Sequence, residues 1–227
     1  MNDHGLRLAV AASVVLVSIW AGARLYVTRT SEHGGQAVPG GQASAPNAQT
    51  PDEGWPHPVI PAHLPAFSLS DLTGKPTPIM RWSGKSLVIN FWATWCAPCR
   101  REIPLLQTLA SEWAGRDVTV VGIAVDYRDK VQDFAREFRI HYPLLIGEQD
   151  ALDVAAKFGM DSPAFPFTVF IDRRGEVVTL FVGELHRPQA DLILSVVQTL
   201  NQDLVQLPEA KRRIADGLEA ILNNRAG

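Results

Sequence analysis

The 227-residue sequence predicts an α/β fold in which one sheet is covered on both faces by helices. Three observations carry that expectation. From Ser86 onward, short apolar runs of strand length alternate with amphipathic stretches of helical period. The last two strand-like runs are joined by a tight-turn signal and followed by a helix. A hydrophobic share of 46% is enough to build a core.

The elements are taken in chain order. Leu64 to Leu72 alternates apolar and polar residues, and Thr73-Gly74-Lys75 turns, which suggests a hairpin entering the sheet. Ser86 to Trp92 (SLVINFW) is a buried strand broken by one asparagine, and Pro98 to about Ala114 is helical. Val118 to Val125 is a second buried strand, and Arg128 to Arg139 an amphipathic helix. Pro143 to Ile146 forms a short strand before a helix from about Asp150 to Phe158. Phe167–Ile171 and Val177–Val182 are strands joined across Asp172-Arg173-Arg174-Gly175, and Pro188 to about Val205 is helical. The tail from Pro208 to Asn224 is one more helix, with Ile214, Leu218, Ile221 and Leu222 on one face.

The organisation is a signal anchor over residues 1–27, a linker over 28–61, a folded domain over 62–205 and a helical extension over 206–227. The anchor is read from the apolar stretch Leu8 to Tyr26. Its uninterrupted part is slightly short of the ~20 residues a spanning helix needs. Arg24 can snorkel to the headgroups. A cleaved signal peptide, with Ala21-Gly22-Ala23 as cleavage site, and a buried core helix are the competing readings. Arg7 before the segment and Arg24 and Arg29 after it run against the positive-inside preference. Anchor and signal peptide alike export the rest of the chain. The linker is small, polar and rich in proline and glycine, so it cannot bury enough surface to fold.

Composition excludes several functions. A net charge of −3 and a pI near 6.1 offer no broad cationic field for nucleic acid. The run Lys211-Arg212-Arg213 reads as a solvated helix face. Two cysteines are too few for a disulfide scaffold or a four-thiolate zinc site. Arg100 after Cys99 rules out covalent haem attachment, and the six histidines show no metal-ligand spacing. Redox chemistry or capture of a soft metal remains for the pair.

The chemistry concentrates in Trp95-Cys96-Ala97-Pro98-Cys99, after a buried strand and at the start of a helix. A thiolate is the reactive form of cysteine, and unpaired N–H groups at a helix N-terminus favour it. Cys96 is therefore expected to have a lowered pKa and to attack a partner disulfide. Cys99, one turn on, then resolves the mixed disulfide. Pro98 sets the backbone near the helix start without wasting a donor. Ala97 adds no positive charge, which leans toward a reducing or intermediate potential. Trp92 is expected in the core and Trp95 beside the thiolate.

The segment from Asn90 to Pro104 (NFWATWCAPCRREIP) resembles the active site of TlpA/ResA-type thioredoxin-like proteins, CcmG-related and anchored on the outer face of the bacterial inner membrane. Pro65-Ala66-Phe67-Ser68-Leu69, with Gly74-Lys75 after it, is similar to that family and to peroxiredoxins. The resemblance covers roughly His63 to Leu200. It implies a thioredoxin-like fold: a central mixed sheet flanked by helices, here with an N-terminal hairpin and an extra C-terminal helix. Glu102 matches the family's acidic residue, which alters cysteine ionisation and moves protons. Its bland reading is an exposed first-turn glutamate. Asn90 stands where cytoplasmic thioredoxins carry a buried aspartate. Pro104 kinks the helix. Pro166 matches the cis-proline opposite the active site, which with Trp95, Pro98 and Phe165 would shape the groove for a partner peptide. Phe165 and Phe167 depart from the small, β-branched or polar residues commoner around that proline. The glutamate that CcmG-type reductases usually carry after it is absent.

The resemblance implies an enzyme: a dithiol reductase of disulfides in exported proteins, with apocytochrome or copper-site cysteines as candidate clients. It would need no cofactor beyond the redox-active pair Cys96–Cys99 and would be re-reduced by a membrane electron donor of DsbD/CcdA type. Its place would be the inner membrane, crossed once, with the catalytic domain in the periplasm. A disulfide-forming oxidase and a Cu(I)-holding module are the alternatives. A peroxidase would need a Pro-x-x-x-Thr-x-x pattern before its reactive cysteine, which is absent.

Overall fold

The computed structural model describes residues 59–224. The expected anchor, and the expected linker up to residue 58, lie outside them. Among the described residues no helix is long and apolar enough to cross a membrane.

Among the described residues, seven strands and five helices follow one another. They are β1 (Ser68–Asp71), β2 (Pro76–Pro78), β3 (Ser86–Trp92), α1 (Ala97–Trp113), β4 (Val118–Val125), α2 (Arg128–Glu137), β5 (Leu144–Gly147), α3 (Gln149–Ala156), β6 (Phe167–Ile171), β7 (Val177–Val182), α4 (Arg187–Asn201) and α5 (Leu207–Asn223). They build one mixed sheet in the order β2-β1-β5-β4-β3-β6-β7. β3, β4 and β5 run parallel, while β6 and β7 close one side and the β1–β2 hairpin the other, all antiparallel.

The central strand explains the two-layer covering. Every residue of β3 is buried. Because successive side chains point to opposite faces, Val88 and Trp92 enter one core and Leu87, Ile89 and Phe91 the other. The first core is closed by α1, α2, α4 and α5, and the second by α3 and a 3-10 turn over Ile79–Trp82.

Helix ends differ from expectation where the chain reverses. α4 stops at Asn201 instead of Val205, because Asp203 adopts φ 59° and Leu204 N–H turns back to the Thr199 carbonyl. α2 stops at Glu137 for the same reason, with Arg139 at φ 51° and Ile140 N–H on the Ala135 carbonyl. β5 begins one residue later than expected, at Leu144. In α5, Ala210 and Ile214 are buried. Leu222, expected on the same face, is 63% exposed, so the last turn runs past the surface it packs on. Lys211, Arg212 and Arg213 are exposed.

The chain enters the domain beside the start of β7. Val177 N–H donates to the Ala62 carbonyl at 2.8 Å, Leu64 N–H to the Gly175 carbonyl at 2.8 Å, and His63 bridges to Glu176.

Candidate active site

The site sits where β3, β4 and β6 come together at one end of the sheet. β3 ends at Trp92, and Ala93-Thr94-Trp95 carries the chain over the sheet into α1. Thr94 N–H donates to Asp126 Oδ2 at 3.1 Å, tying this turn to the end of β4. Cys96 is then the N-cap of α1, in extended backbone (φ −81°, ψ 108°). Its sulfur accepts the Cys99 N–H at 3.3 Å, so one donor otherwise left unpaired at a helix start points at the reactive atom.

The two sulfurs form a disulfide, with S–S 2.06 Å and Cα atoms 5.3 Å apart. Their environments differ. Cys96 is 5% exposed and Cys99 fully buried. Of the two, only Cys96 has any exposed surface. Pro98 occupies the first turn, half-buried, where its missing N–H leaves nothing unpaired. The Arg100 guanidinium lies 5.5 Å from the centroids of both Phe134 and Phe138, at the end of α2.

Glu102 is where the two readings of the sequence separate. It is 1% exposed, so the bland reading of a solvated first-turn glutamate is overturned. Position 102 lies one turn below Cys99 and faces inward onto the sheet. Its Oε1 accepts from Asn90 Nδ2 at 2.8 Å, and its Oε2 accepts from Leu185 N–H at 2.8 Å. Burial is the main cause that pushes its carboxyl up to about 7; the two donated bonds pull the other way. A carboxyl poised there can hold or release a proton beside Cys99 at neutral pH. Asn90 Nδ2 also donates to Thr168 Oγ1 at 3.0 Å, and the two residues face each other in the β3–β6 register. Thr168, Leu185, Arg101 and Glu184 do not stand out in the sequence as site residues. Thr168 alone leaves a signal, as the polar residue inside an otherwise apolar strand.

Opposite the pair, the Phe165–Pro166 peptide is cis and Pro166 is buried. Phe165 is half-buried and stacks on Phe167 with centroids 6.2 Å apart. Trp95, expected beside the thiolate, is 70% exposed and meets Phe165 edge-on at 6.2 Å.

Residues 60–180 match the model of the AhpC/TSA family. The chain belongs to this family. The chain is 30% identical to thiol-disulfide oxidoreductase ResA of Geobacillus kaustophilus, over 62% of this chain and 79% of the relative. It is 31% identical to thioredoxin-like protein YneN of Bacillus subtilis, over 56% and 74%. Among solved structures it is similar to a thiol:disulfide interchange protein of the thioredoxin family from Chlorobium tepidum. That likeness has a TM-score of 0.55 and 30% identity, over 62% of this chain and 98% of the other. This AhpC/TSA-family chain is a thioredoxin-like thiol–disulfide oxidoreductase, and the resemblance to ResA-type proteins holds.

Proposed function

We propose that the enzyme is a reductase, giving two electrons to disulfides of exported proteins from the outer face of the cell membrane. The observation that carries this reading is the pair itself: one cysteine slightly exposed at a helix N-terminus, the other fully buried, with only Ala97 and Pro98 between them. The dipole and the Cys99 N–H favour the Cys96 thiolate needed for attack. The intervening residues add no further cation that would hold the reduced form strongly. The Cys96 thiolate attacks a client sulfur and expels the other client sulfur as a thiolate, forming the mixed disulfide. Cys99 then attacks the Cys96 sulfur, releasing the client's dithiol and leaving Cys96–Cys99 oxidised. Glu102 accepts the Cys99 proton as that thiol becomes a nucleophile.

The groove formed by Trp95, Pro98, Phe165 and Pro166 would receive the client chain. Trp95, Tyr127 and Val182 leave large apolar surface exposed around this end of the sheet, which suits a polypeptide and not a small thiol. Re-reduction falls to a membrane electron donor of DsbD/CcdA type, reached because the apolar stretch Leu8 to Tyr26 anchors the chain. Cytochrome haem-site and copper-site cysteines are the client classes in view.

The deciding measurement is the reduction potential, by equilibration with defined thiol–disulfide buffers. A value below about −220 mV supports the reductase; one near −120 mV makes the protein a disulfide-forming oxidase instead.

A further inference from the structure

Two consecutive residues of α1 grip two consecutive residues of the turn between β7 and α4. Arg101 Nε donates to Glu184 Oε2 at 2.8 Å, and Nη2 of the same guanidinium reaches the same oxygen. Glu102 Oε2 accepts the Leu185 N–H. One residue earlier in the turn, Gly183 N–H donates to the Pro166 carbonyl at 2.8 Å. Gly183 adopts φ 104°, a backbone that only glycine takes readily. Three successive turn residues are thus bonded to three different parts of the site: the proline carbonyl, a helix cation and the buried carboxylate. A second arm leaves Glu102 through Asn90 to Thr168, two residues beyond Pro166. The contacts close into a ring around the floor of the site.

The ion pair is the outer link of that ring. The Arg101 side chain is 60% exposed and that of Glu184 19%, so the pair adds little to global stability. Its placement is what matters. Glu184 is a negative charge next to the residue that bonds Glu102, and Arg101 offsets it. Glu184 raises the Glu102 pKa by like charge, while Arg101 holds the Glu184 carboxyl low.

We propose that Arg101 and Glu184 are positioning residues for thiol–disulfide exchange: a surface clamp that fixes the Gly183–Leu185 turn and so holds Pro166 and Glu102 in one register with the cysteine pair. The reacting sulfurs are not touched by the clamp; it acts through the carboxylate and the proline carbonyl.

The test uses the oxidised full-length chain, in which the cysteines do not titrate. Carbon-13 NMR follows the Glu102 carboxyl against pH, with Glu102→Gln identifying the resonance, in Arg101→Gln, Glu184→Gln and the double variant. Amide exchange of Gly183 and Leu185 is measured alongside. The other groups facing Glu102 are neutral Asn90 and Thr168 and the Tyr142 phenol, which burial keeps protonated. His186 faces Glu184 and is common to every variant. Removing the negative charge in Glu184→Gln lowers the Glu102 midpoint, and Arg101→Gln, which leaves the Glu184 charge without its partner, raises it. The double variant returns near wild type. In all three, Gly183 and Leu185 exchange several-fold faster while β3 amides do not change. A charge effect alone would shift the midpoints and leave the Gly183 and Leu185 amides unchanged; that result would overturn the proposal, as would acceleration spread equally to the β3 amides.

Discussion

Glu102 and Cys99 share one face of α1, and their burial assigns them different work. A carboxyl that titrates at about 7 in the fold, against 4.5 as an ordinary glutamate, binds its proton more tightly folded than unfolded. The stability it contributes is therefore fully present below about pH 4.5 and is lost as the pH rises through 7. The loss is on the order of 3 kcal/mol across that window. Denaturant titrations of the oxidised protein at a series of pH values should show this fall, and Glu102→Gln should flatten it. The cysteines separate by trapping. Cys99→Ala should accumulate mixed disulfides on Cys96, visible on non-reducing gels, whereas Cys96→Ala should accumulate none because Cys99 is fully buried. At Phe165, replacement by Thr removes the ring that Trp95 meets edge-on. A disulfide peptide with aromatic flanks should then show a KM raised about fivefold with kcat little changed, in keeping with ~1 kcal/mol lost from an aromatic contact.

At the scale of elements, β4 offers the sharpest test of packing. A Cβ built on Gly122 would lie 2.6 Å from Leu144 Cδ2, 3.0 Å from Trp92 Nε1 and 3.1 Å from Tyr142 Cε2. Gly122→Ala should cost about 1–3 kcal/mol through overpacking, read as a lowered midpoint in thermal or denaturant unfolding. The strands β3, β4, β6 and β7 are legible in the sequence to the residue, because each is an apolar run bounded by polar or turn residues. Helix ends are less so. Asp203 and Arg139 adopt left-handed backbone without being glycine, and nothing local announces that. The site divides in the same way. The cysteine pair, Pro98, Pro166 and Glu102 are visible because their chemistry is carried by neighbours along the chain. The link from Arg101 to Glu184 spans 83 residues and exists only once β7 folds back beside α1. Whether Glu102 is buried or exposed also depends on that folding, since a helix position alone fixes a face and not what covers it.

For the whole molecule, α5 is the addition that completes one core, burying Ala210 and Ile214 against α4 and β7. Ile214→Ala should cost about 2–4 kcal/mol, while Leu222→Ala should cost almost nothing, a contrast measurable by unfolding of the two variants side by side. The path of β7 from end to end bears on where the domain is held. The chain joins the sheet at Ala62, beside Val177, whereas Val182 at the other end of β7 lies opposite Phe167, next to Pro166. Handle and working tip are therefore at opposite ends of a strand six residues long. A domain held on a bead or an electrode at its point of entry, Ala62, leaves the Pro166 end of β7 uncovered.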